Sequence, residues 1–149
     1  MVLIPDYVET QEPLEIWIRS QLKNDTELNE LIDNAYPEWA DKDAEFPYIV
    51  YRIEVDSQTE EGAVSQATLY LGLWDHNQLK QRILRMRGHV LRLFDRTRVY
   101  LEGVGLVRIK HNNGGSIPED TKNIWHREEI FDLRFSRTIE IEKILDSKE

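Results

Sequence analysis

The chain has 149 residues, 40% of them hydrophobic and 32% charged, with a net charge of −9 at pH 7. That length suits a single domain over residues 1–149, which can bury about 68–70% of its unfolded surface without covalent staples. The absence of cysteine excludes disulfides, thiolate metal centres and cysteine nucleophiles, and fits a reducing compartment.

No apolar run reaches the ~20 residues of a membrane span, and MVLIPDYVETQEP lacks the basic segment of a signal peptide. Pro13 suits a first helical turn with Thr10 as its cap, and Leu14, Trp17, Ile18 and Leu22 then recur at helical spacing. A short second helix, DTELNELIDN, starts at the cap cluster Asn24-Asp25-Thr26 and presents Leu28, Leu31 and Ile32. AYPEWADKDAEFP reads as a loop or a short edge strand.

YIVYRIEVD alternates, with Ile49, Tyr51, Ile53 and Val55 on one face and Arg52, Glu54 and Asp56 on the other. SQTEEGA is a polar hairpin loop, and VSQATLYLGLW puts Ala67, Leu69, Leu71 and Leu73 on one side. Residues 77–95 form the strongest helix. Leu79, Ile83, Met86, Val90 and Phe94 line its apolar stripe, widened by Leu84 and Leu91, with Arg82, Arg85, His89, Arg92 and Arg96 opposite. VYLEGVGLVRIKH and IWHREEIFDLRFSRTIEI are further extended runs, separated by the turn-rich loop NNGGSIPEDTKN. The end, 139–149, reads as a frayed tail.

The order helix, hairpin, helix, hairpin predicts an α+β fold. Its small four-stranded antiparallel sheet of two hairpins carries helices packed on one face.

Charge is unevenly placed. Residues 1–61 hold sixteen acids against four bases, a balance of −12, while residues 76–98 hold seven bases against Asp95 alone, a balance of +6. Opposite patches of this kind attract copies of the chain head to tail, and the acidic whole repels nucleic acid. Arg82, Arg85, Arg92 and Arg96 are therefore the candidate subunit or partner interface.

Catalytic and metal-binding patterns are weak. Asp75-His76, between strand and helix, reads as helix punctuation, with Asp75 capping a first turn and Gln78 three residues on, or with Asn77 as the cap instead. His76, His89, His111 and His126 lack the i, i+4 spacing of a helical zinc site, although His126 and Glu128 share a strand face. The pairs Glu60-Glu61, Glu119-Asp120 and Glu128-Glu129 are not thereby placed across a cleft. No serine-nucleophile or phosphate-loop motif occurs, so no enzyme activity and no cofactor are expected.

Three stretches, in order, carry a family resemblance. A helix ending in LKNDTELNELI precedes the turn Tyr36-Pro37; FPYIVYRIEVD leads into LYLGLWDHNQLKQRILRMRGHVLRLF; GGSIPEDTKNIWHREEIFDLRFSRT joins a Pro-x-Asp loop to the His126 strand. Over residues 12–138 the chain resembles the tail-completion proteins of long-tailed phages and prophages, also called tail terminators or head–tail joining proteins.

The resemblance implies a non-enzymatic virion subunit, made in the bacterial host cytoplasm and placed at the head-proximal end of the tail. It implies a homo-oligomeric ring, a hexamer on the tail, that caps the tail tube and meets the head–neck connector proteins. DNA passes through such a ring without specific binding, and no membrane is involved. A ring needs two different complementary patches per subunit, which the charge asymmetry supplies. The competing readings are another head–tail connector such as a head-completion subunit, a small enzyme or ligand-binding domain, and a nucleic-acid-binding module.

Overall fold

The computed structural model describes residues 9–57 and 64–136. Helix α1 (Gln11–Asn24) buries Leu14, Ile18 and Leu22 along one side. Pro13 fits its first turn, where an intrahelical N–H is not required. The Glu9 carboxylate, not the expected Thr10 hydroxyl, accepts from the N–H groups of Gln11 and Glu12 at 2.9 and 3.0 Å. Helix α2 (Thr26–Leu31) follows at once, capped by Asp25 Oδ2, which accepts from the Leu28 N–H at 3.0 Å.

The remaining elements are β1 (Asn34–Pro37), β2 (Tyr48–Ser57), β3 (Val64–His76), α3 (Gln81–Phe94), β4 (Thr97–Leu101), β5 (Gly105–Ile117) and β6 (Ile124–Ser136). The six strands form one mixed sheet in the order β1-β2-β3-β6-β5-β4, curled into a half-barrel. Only β1 and β2 are parallel; every other neighbouring pair is antiparallel.

This corrects the expected four-stranded antiparallel sheet. Asn34–Pro37 adds to the edge as a parallel strand, with Ala35 opposite Ile49. The run VYLEGVGLVRIKH breaks in two, because Gly103 and Gly105 adopt φ of 85° and 111° and fold β4 back on β5. The expected loop over 112–123 is strand as far as Ile117, with a bulge between His111 and Asn113 that leaves Asn112 bonded to Asp132 at 2.9 Å. Most of the loop expected at 56–63, and the tail 139–149, lie outside the described residues.

One face of the sheet and the helices enclose a contiguous core. Ile49 and Ile53 of β2, the row Leu69, Leu71 and Leu73 of β3, and Phe131, Leu133 and Phe135 of β6 meet α1 and α3 there. Each such side chain, once fully buried, contributes about 1.5–3 kcal/mol. Ile83, Met86, Val90 and Phe94 form the buried stripe of α3. Leu79 and Leu84, expected on that stripe, are 62% and 42% exposed. Leu79 precedes the helix, which starts at Gln81, four residues later than its periodicity suggested. Among the described residues no helix is long and apolar enough to cross a membrane.

Candidate interaction surfaces

Strand register sets what the open face of the sheet displays. Tyr48 lies opposite Trp74, which lies opposite His126; one pair further on, Val50, Gly72 and Glu128 align; then Arg52, Tyr70 and Ile130. Trp74 stacks on the His126 ring with centroids 3.6 Å apart, and on Tyr48 at 6.1 Å. Phe46 extends the row, stacked on Tyr48 at 5.2 Å. His126 Nδ1 is 2.9 Å from Glu119 Oε1. Burial, and then the Glu119 charge, raise the Tyr48 pKa above its ordinary value. Arg52 lies 4.1 Å above the centre of the Tyr70 ring and is paired with Glu54.

Gly72, with no side chain, sits amid these aromatic groups and leaves a hollow of about 250 Å³. Its rim includes Glu38 and Trp39, the latter 78% exposed. Apolar periodicity does not reveal this surface, which lies on the strands' outward positions. Outward positions on a half-solvated strand are ordinarily polar, so Tyr48, Tyr70 and Trp74 were the available signal.

The four candidate arginines divide into two groups. Arg82, part-exposed, is tied to a buried acid: its Nε donates to both Asp75 oxygens at 3.1 and 3.0 Å, and its Nη2 to Oδ1 at 2.6 Å. Arg92 donates to Asp25 Oδ2 at 2.6 Å, with Glu27 at 3.6 Å. Hydrogen bonds to these carboxylates raise the pKa of both guanidinium groups. Arg96 is 86% exposed at its side chain and 4.0 Å from Asp95; its φ of 58° gives the chain its left-handed exit from α3. Arg85 is exposed and has no ion-pair partner among the described residues. The structure therefore pairs Arg82 and Arg92 with carboxylates of the same subunit, leaves Arg85 without an ion-pair partner among the described residues, and gives Arg96 only the 4.0 Å contact to Asp95.

Asp75 does not cap a helix. Strand β3 continues through it to His76, so alternation turns its carboxylate onto the buried face, where it is fully enclosed. Besides Arg82, it accepts the His76 N–H at 2.8 Å. His76 is exposed, with its ring 5.9 Å from Phe46. A second fully buried carboxylate, Glu129, accepts from Arg87 Nε at 2.8 Å, with His111 Nε2 3.6 Å away. Both acids anchor arginines of α3 to the sheet. No cluster of three or more His, Cys, Asp or Glu able to hold a metal occurs among the described residues. The open face thus carries an aromatic hollow, and the outer side of α3 carries the exposed Arg85.

The structure is similar to a chain in the virion of a native gene transfer agent particle, at 13% identity and a TM-score of 0.68. The likeness covers 78% of this chain and 90% of that one. A second solved chain matches at 10% identity and a TM-score of 0.59, over 85% of this chain and 96% of the other. At these identities the likeness is one of fold. No protein-family model matches the sequence, and no curated protein matches it.

Proposed function

We propose that the chain is a non-enzymatic structural subunit of a long-tailed phage or phage-like particle. In this reading it is a ring-forming tail terminator, or tail-completion protein, that caps the head-proximal end of the tail tube and joins it to the head–neck. The observation that carries the reading is the fold shared with a component of a gene transfer agent virion, along nine-tenths of that component.

The family resemblance of residues 12–138 narrows the virion role to the tail end. Residues 1–149 act as one domain, and copies associate into a hexameric ring through unlike surfaces. Exposed Arg85 and Arg96 on one side are available for such a contact, while Arg82 and Arg92 support it indirectly by fixing α3. The ring meets the tail-tube protein below and connector proteins above. DNA passes through it without specific binding, and an acidic chain of net charge −9 favours that passage.

Deleting the gene from the particle-producing cell and imaging the products tests the role. The expected result is tails of uncontrolled length that remain unjoined to heads. Tails of normal length beside heads that have lost their DNA would transfer the chain to head completion. Intact, infective or DNA-transferring particles would reject both.

A further inference from the structure

The open-face hollow and the outer side of α3 are complementary and cannot meet within one molecule, because α3 covers the opposite face of the sheet. We infer that the hollow receives α3 of a second copy of this chain, with Arg85 entering among the aromatic rings. The inference rests on the ring reading above and names its contact.

The hollow has the chemistry of a cation site. Trp39, Tyr48, Tyr70 and Trp74 line it; the one guanidinium in its lining, Arg52, is already held over Tyr70 and paired with Glu54, while Glu38 and Glu128 add two carboxylates. A guanidinium is attracted to both groups, by the ring quadrupole and by charge. Neither acid has an ion-pair partner among the described residues. At about 250 Å³ the space is smaller than the roughly 300–1,000 Å³ of small-molecule sites, and its size suits one long side chain. The two carboxylates disfavour a phosphate backbone, which separates this surface from a nucleic-acid platform.

The helix side supplies the matching features. Arg85 is exposed and unpaired among the described residues, and beside it Leu84 is 42% exposed. One turn on, Gly88 would place a Cβ with nothing within 4 Å, so internal packing does not demand glycine there. Glycine weakens a helix interior relative to alanine. Its benefit lies outside the subunit: at this position α3 can approach a flat aromatic rim such as Trp39 closely. Contacts between opposite faces of one molecule are heterologous, and repeat from copy to copy until the chain of subunits closes.

The natural sequence has no cysteine, which permits a clean cross-linking test. Ala40→Cys on the rim of the hollow and Gln81→Cys at the start of α3 are placed in one chain and treated with a short bismaleimide at high concentration. Docking predicts a ladder of linked species, since each copy joins two neighbours through different cysteines. Arg85→Glu or Glu128→Arg in this background reduces the ladder at least tenfold, and combining them restores a substantial part. Gly88→Ala raises the melting temperature by a few degrees, about 2–4 °C, yet also reduces the ladder.

Dimers alone, or a ladder indifferent to the charge reversals, would overturn the inference. Rings seen on tail tubes without a ladder retain the proposed function and remove this contact. A ladder that grows into open filaments, with no rings on tubes, keeps the contact and removes the terminator reading.

Discussion

Gly114 faces Glu129 across the β5–β6 ladder, and a Cβ at that position would stand 1.8 Å from Glu129 Oε2. The glycine lets a buried carboxylate fold over the neighbouring strand and reach Arg87 Nε at 2.8 Å. Gly114→Ala should displace Glu129 from that pair at a cost of about 2–3 kcal/mol, lowering the melting temperature by roughly 4–10 °C in a chain of this size. Thermal unfolding checks this. Adding Glu129→Ala should make the alanine at 114 much less costly, because the two changes share one contact. The pair Gly114-Gly115 in NNGGS reads naturally as a turn. Glycine inside a strand can instead mark a close approach by a neighbour, and here the neighbour is fifteen residues away in β6. Local composition therefore could not separate the two meanings.

Helix α3 shows the same division between legible and hidden information at the scale of an element. Its apolar stripe, Ile83, Met86, Val90 and Phe94, follows directly from helical periodicity. The work of its arginines does not, since Arg82, Arg87 and Arg92 find their acids at separations of 7, 42 and 67 residues. Successive steps of five residues turn about 140° around the helix, so Arg82 and Arg87 flank the apolar stripe, Arg92 lies on the far face, and the three pin the helix to different neighbours. Arg82→Ala strands the fully buried Asp75 carboxylate. We expect a loss of about 3 kcal/mol, the low end for a broken buried pair, because water reaches Arg82, whose side chain is 35% exposed. Arg85→Ala should stay within about 0.5 kcal/mol, as for surface positions generally. Urea denaturation of the two variants compares them, and equal losses would contradict the division between anchoring and surface arginines.

At the scale of the molecule, both the strand count and the charge asymmetry are resolved by long-range pairing. The sheet ends in two short edges, β1 of four residues and β4 of five, which suits protection against unwanted strand addition. Four residues that include Pro37 carry too little alternation to separate a short edge strand from a loop, the two readings that AYPEWADKDAEFP allows; β1 is a strand because β2 offers it a backbone edge. The acidic first half and the basic helix likewise meet within the subunit, where Arg92 bridges to Asp25 and Glu27 and His89 Nδ1 lies 3.6 Å from Glu27. The Arg92 hydrogen bond is the largest influence on Asp25 and, with the Leu28 N–H, holds its pKa below the ordinary value against the opposing effect of burial. A folded-state pKa below the unfolded one contributes stability above the unfolded value, near pH 4, and loses it as pH falls through the folded value. Arg92→Gln should therefore lie below the natural chain by on the order of 1 kcal/mol, a modest figure for a pair half open to water, between about pH 5 and 7. The gap should narrow below about pH 4 and close once Asp25 is protonated in both proteins. Melting curves followed by circular dichroism across this range measure the difference directly. A gap that stays constant down to full protonation would assign the effect to the packing of the Arg92 stem and not to its charge.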